Sequence, residues 1–171
     1  MALSVSKRGK RGQEVFGMSF GVIFAIILIV AILAVGFYVI SYFLNLQKCT
    51  ETALLYNDLQ AEVDNAWKSS IYQDIFEAKT PRGITYLCFG SLRADGGVDN
   101  SRKNEIIDYG DPLTDDNMFI YPPTKACSAE LYSYKLSHVA IDGFFCVKSE
   151  NGEANIKMSK GGFDSLVKIE K

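Results

Sequence analysis

Charge is missing from one stretch altogether: Val15 to Leu46, VFGMSFGVIFAIILIVAILAVGFYVISYFLNL, holds no Asp, Glu, Lys or Arg. A membrane-spanning helix takes ~20 mainly apolar residues, so this run is long enough to cross a bilayer. A buried helix of a soluble core rarely stays apolar on every side for such a length. Glycine and proline are absent from Phe37 to Thr80, so nothing in the chain forces a helix to break there. No A-x-A triplet lies in or after the apolar run, which predicts a retained segment rather than a removed secretory signal.

The chemistry of catalysis is also scarce. His138 is the single histidine, and a lone histidine in an aromatic-rich segment reads as a packed or surface residue rather than a base. There is no HExxH, no GxxxxGK[ST], no GxSxG and no CxxC, so no enzyme, metal site or cofactor is expected. The four cysteines, Cys49, Cys88, Cys127 and Cys146, lack the paired short spacing of a zinc site and predict two disulfides. Two acidic loops, Asp95 with Asp99 and Asp111 with Asp115, Asp116 and Asn117, carry oxygen ligands of the kind calcium takes. Neither matches an EF-hand, and solvated loop carboxylates are the ordinary reading.

Charge is unevenly placed. Lys7, Arg8, Lys10 and Arg11 precede the apolar run, whereas Lys48 beyond it stands beside Glu51. Cations gather on the cytoplasmic side of a span, which predicts an inside N-terminus and an outside bulk. All four cysteines then fall where disulfides persist. Beyond Lys48 nineteen acids face thirteen bases, and an acidic domain disfavours nucleic acid as a partner. Membrane lipid is the expected partner of the apolar run. Gly17, Gly21 and Ala25 fall four apart, a small-residue stripe along which another helix can approach. Tyr38, Tyr42 and Phe43 mark its outer end.

In chain order, residues 1–12 read as a basic cytoplasmic leader, 13–46 as a transmembrane helix, 47–80 as its amphipathic extension and 81–171 as a disulfide-bonded β-rich domain. The extension shows Leu46, Cys49, Ala53, Tyr56, Leu59, Val63, Ala66 or Trp67, and Ser70 or Ile71 at steps of three and four, a helix with one buried stripe. Pro81 and Gly83 are expected to end it. ITYLCFGSL from Ile84 reads as strand, followed by a short helix near Asn104 to Tyr109 and an apolar run stopped by Pro122 and Pro123. A helical turn near Ser128 and a strand over Tyr134 to Ile141 come next, and Ser165 to Glu170 makes a last strand.

Asn151-Gly152 between alternating runs predicts a type I′ hairpin. Its register would set Glu150 opposite Glu153, Val147 opposite Ile156 and Phe145 opposite Met158, with these four apolar residues on the face meeting the helix. Cys146 would point the other way, which disfavours Cys49–Cys146 among the three connectivities and leaves two. The fold class expected is α+β: a long N-terminal helix packed on a small antiparallel sheet.

The junction KRG-QEVFG, with its basic leader ending at Gly12, Gln13 next, and an apolar helix running into an amphipathic one, resembles archaeal proteins with class III signal peptides, the type IV pilin-like precursors. The resemblance covers about 65 N-terminal residues. It implies a cut between Gly12 and Gln13 by a prepilin-type signal peptidase, after which sister subunits bundle through this helix into a surface filament. Many pilins carry Glu at the fifth mature position, where this chain has Gly17, its nearest acid being Glu14. The function so implied is a non-enzymatic pilin-like subunit of a type IV-type filament or related membrane machine. The alternative is a single-pass, signal-anchored extracytoplasmic binding domain that forms no filament.

Overall fold

The computed structural model describes residues 13–93 and 97–171, with side chains described from Phe20 onward. Two units make up the chain, Met1–Phe43 and Leu44–Lys171, and helix α1, Gln13–Lys68, supplies residues to both. The layout is α+β. In the first unit every described side chain from Phe20 to Phe43 is exposed, so a surface composed of Phe, Ile, Val and Leu faces outward all round.

In the second unit the later turns of α1 bury Thr52, Leu55, Tyr56, Leu59, Val63 and Ala66. This stripe keeps Tyr56, Leu59, Val63 and Ala66 from the expected set. Leu46 and Ala53 turn outward, and Thr52, whose hydroxyl donates to the Lys48 carbonyl at 2.9 Å, goes in instead. Tyr56 stacks on Tyr134 with ring centroids 4.7 Å apart and donates its hydroxyl to the Leu131 carbonyl at 2.9 Å. Burial, followed by the charge of Asp116, raises the Tyr56 pKa and keeps that hydroxyl a donor.

The helix does not run on to Pro81. It ends at Lys68, and after Ser69-Ser70-Ile71 the chain forms strand β1, Tyr72–Lys79, so the expected extension over 47–80 is corrected at 69–80. Two interactions outweigh the lack of a breaker. The Lys160 ammonium donates to the Trp67 and Ser69 carbonyls, the latter at 2.7 Å, occupying acceptors that the helix end leaves open. The eight residues of β1 also pair along their whole length with β7, Glu153–Lys160, from Tyr72 opposite Lys160 to Lys79 opposite Glu153.

Two four-stranded sheets complete the unit. The first has the order β1-β7-β8-β5, where β8 is Val167–Glu170 and β5 is Val139–Ile141, its one parallel pair being β5 with β8. The second has the order β4-β3-β2-β6: Ser133–Tyr134, Met118–Tyr121, Tyr86–Phe89 and Phe145–Lys148. The strand expected over Tyr134 to Ile141 is therefore two short strands in different sheets. Helix α2, Asn100–Tyr109, starts four residues before the expected Asn104. Leu59, Leu87, Phe119, Phe144, Ile156 and Val167 belong to one buried cluster that joins α1 to both sheets.

The hairpin is half correct. Asn151 and Gly152 both have positive φ, 55° and 85°, and Glu150 bridges Glu153 as expected. Beyond that bridge the arms part. Phe145 and Val147 lie opposite Phe89 and Leu87 in the second sheet, while Ile156 lies opposite Phe76 and Met158 opposite Asp74 in the first. Phe145, Val147, Ile156 and Met158 do not form one sheet face, because β7 pairs along all eight residues with β1 and β6 pairs with β2; they come from two sheets to the core that α1 also enters.

Candidate functional site: an apolar helix and a disulfide-pinned domain

The features that bear on function are the bare apolar surface of α1 and the covalent clamps on the domain that follows it. The helix from Phe20 onward is long and apolar enough to cross a membrane, and none of its most apolar window is buried within the protein. Gly21 and Ala25 lie on this exposed surface, and a methyl built on Gly21 would meet nothing within 4 Å. Gly17 is within α1, but its surroundings, like the Gln13 side chain and all of Gly12, lie outside what is described. The rings of Tyr42 and Phe43 meet edge to face at 6.2 Å.

The disulfides are Cys49–Cys127 and Cys88–Cys146. The first joins α1 just past its apolar part to the residue that follows the 3₁₀ turn Pro123–Lys125 and Ala126. The second is a cross-strand bond: Cys88 in β2 lies directly opposite Cys146 in β6, Cα to Cα 3.9 Å. Opposed residues that do not exchange backbone hydrogen bonds are the closer pairs of an antiparallel ladder. The Cys146 N–H indeed points outward, donating to Asp99 Oδ2 at 2.9 Å. Of the two pairings the sequence left open, the geometry selects this one through the β2–β6 register. Both bonds fit an oxidised, extracellular setting.

The acidic loops are occupied by their own neighbours. Asp99, just before α2, accepts from Arg102, from the Cys146 backbone and from the Lys171 ammonium at 3.3 Å. Asp111 accepts the Leu113 N–H at 2.8 Å, Asp115 faces Arg93 at 3.7 Å, and Asp116 takes the Ser133 hydroxyl. Asn117 accepts from the Leu136 N–H and donates to its carbonyl. Asp95 lies outside the described residues. Among the described residues no three His, Cys, Asp or Glu side chains converge as metal ligands would.

His138 sits in a clamp. Its ring stacks on Trp67 and its Nδ1 lies 3.1 Å from Asp64 Oδ1, while Gln60 accepts the neighbouring Ser137 N–H at 2.9 Å. Gln60, Asp64 and Trp67 follow at steps of four and three on α1, one helix face gripping one loop. The bond from His138 is the main cause that lowers the Asp64 pKa. Sequence patterning placed Trp67 only as an optional core residue and did not pair it with His138, since residues 71 apart in sequence leave no local signal.

Two surface features were also missed. A groove of about 540 Å³ opens between α1 and the ends of β1 and β7, floored by Leu54, Leu55, Phe76 and Pro81. At the β7–β8 turn, Phe163 stands fully exposed. The run Gly161-Gly162-Phe163 marked a loop in the sequence, but nothing marked its aromatic as bare. Comparison with family models, curated proteins and solved structures finds no match to this chain.

Proposed function

We propose that this chain is a non-enzymatic, pilin-like subunit of a type IV-type surface filament or related membrane machine. The observation that carries the reading is the division of labour along α1. One helix is exposed and apolar all round from Phe20 to Phe43, then buries a stripe in a disulfide-bonded domain from Thr52 to Ala66. A surface of that kind needs lipid or sister helices around it, since packing within the described chain shields none of it from water. Gly21 and Ala25 leave room for a sister helix to approach. The N-terminus lies in the cytoplasm and the disulfide-bonded domain outside, on the placement of Lys7, Arg8, Lys10 and Arg11.

On this reading a prepilin-type signal peptidase cuts between Gly12 and Gln13, and the freed helix moves from lipid into a filament core. Intact-mass and N-terminal measurement of protein from producing cells tests it: a mature N-terminus at Gln13 is expected, and an intact leader with the peptidase present counts against it. The groove beside Leu54 favours a second reading, an anchored extracytoplasmic domain that captures a ligand. That reading predicts no Gly12-dependent fibres by electron microscopy.

A further inference from the structure

The groove and the bare aromatic turn occupy opposite ends of one ladder. The groove lies where β1 ends at Lys79 and β7 begins at Glu153; the turn lies where β7 ends at Lys160 and β1 begins at Tyr72. The seven steps along the eight paired residues, at ~3.3 Å each, put them about 23 Å apart. Within one chain the two cannot meet.

Phe163 does not stand alone at its end. Ile71, 76% exposed, approaches the same turn, where a methyl built on Gly162 would lie 3.9 Å from the Ile71 side chain. Trp67 fixes the turn through its indole N–H to the Ser165 carbonyl at 3.1 Å. Gly161 N–H and Lys168 Nζ both donate to Asp164 Oδ2, at 2.8 and 3.1 Å, which stiffens the loop beneath the ring. An aromatic on a braced turn presents apolar area at little cost in conformational entropy.

The charges around the two features are complementary. At the groove Glu51, Asp58 and Glu153 outnumber Lys79 and Arg82. Around the turn Lys160 and Lys168 outnumber Asp164. The groove is apolar at its floor, where Leu54 is 52% exposed, and has volume for an aromatic side chain with its neighbours.

We infer that the Phe163 turn of one copy of this chain seats in the groove beside Leu54 of a second copy. A projecting apolar group and a receptive pocket at separate places on one molecule make a heterologous contact, which propagates as an open array unless its rotation closes a ring. This rests on the filament-subunit reading above and gives its outer domains a contact of their own.

The test places the photoreactive residue p-benzoylphenylalanine at position 163 of the full chain in producing cells, with irradiation followed by peptide mapping. Adducts to a second copy within residues 51–58 or 151–153 are expected, and Leu54→Asp on the groove floor should lower their yield about tenfold, the loss of ~1.4 kcal/mol of contact. Adducts on another protein, on lipid or elsewhere on a second copy overturn the inference, as does a yield that Leu54→Asp leaves unchanged. Electron microscopy and N-terminal analysis of the same cells read the underlying proposal separately. Fibres without groove adducts remove the contact alone, whereas an intact leader with no fibres removes the filament reading.

Discussion

The indole of Trp67 and the imidazole of His138 lie face to face, with centroids 3.9 Å apart and planes 7° from parallel. The pair bolts the end of α1 to the segment entering β5, and His138 holds a positive φ of 62° to reach it. Trp67→Ala removes this stack together with the indole bond to Ser165. Each is worth about 0.5–1.5 kcal/mol, so a loss of roughly 1–3 kcal/mol is expected in urea unfolding followed by circular dichroism.

The clamp has an acid limb. Asp64 is held below the usual carboxylate range, first by its bond from His138. A lowered folded pKa gives stability that is present above the unfolded value, ~3.9, and is lost as pH falls through the folded one. Asp64→Asn should therefore be less stable than the parent at neutral pH, and the two unfolding midpoints should converge below about pH 4. The side chain is partly exposed, so solvent screening keeps the gap small.

The two disulfides differ in shelter. Cys88 and Cys146 are buried, whereas Cys49 and Cys127 are half-buried. Mild reductant followed by alkylation and peptide mapping should label Cys49 and Cys127 first, with Cys88 and Cys146 labelled only on unfolding. For the 58-residue span of Cys88–Cys146, replacing both cysteines by Ala should cost about 4 kcal/mol by the chain-entropy relation.

Two glycines separate backbone strain from collision. Both Gly90 and Gly152 have positive φ, but a methyl on Gly90 would lie 2.2 Å from the Gly143 carbonyl oxygen, whereas one on Gly152 would meet only the Thr80 carbonyl at 4.0 Å. Gly152→Ala should cost about 1–2 kcal/mol for the left-handed conformation alone. Gly90→Ala should cost more, about 2–5 kcal/mol, because ~1–3 kcal/mol of overpacking against backbone adds to the same conformational cost. Thermal unfolding of the two variants checks the order.

A matched pair on α1 tests which side of the helix is core. Leu59 is fully buried and Leu54 half exposed. Leu59→Ala should lose about 2–5 kcal/mol and Leu54→Ala within about 0.5 kcal/mol, measured as denaturation midpoints.

Local chemistry was legible where it was strong. The uncharged run, the Tyr56-Leu59-Val63-Ala66 stripe, the Asn151-Gly152 turn and the last strand each follow from residues close in sequence. The failures share one cause, competition from distant partners. Residues 72–79 carry no helix breaker, yet β7 supplies them a full ladder, and the backbone goes where its hydrogen bonds are met. The hairpin turn was read correctly and its arms were not, because turn chemistry fixes two residues while Phe76 and Leu87 decide where Ile156 and Val147 go. The cysteine pairing needed the β2–β6 register, which no spacing encodes. At the candidate site, the bare helix was visible from composition, whereas the Trp67–His138 clamp and the Leu54 groove depend on packing between segments far apart in the chain.

Cys49–Cys127 also sets how the outer domain would bear mechanical load. Tension entering along α1 crosses from Cys49 to Cys127 through covalent bonds and reaches Cys146 by the direct segment 128–145, so residues 50–126 add nothing to the length that a pull can release. Cys146 is in turn bonded to Cys88 in β2, so drawing out 128–145 also drags β2 away from Cys127. The two bonds make that segment yield together with the second sheet or not at all.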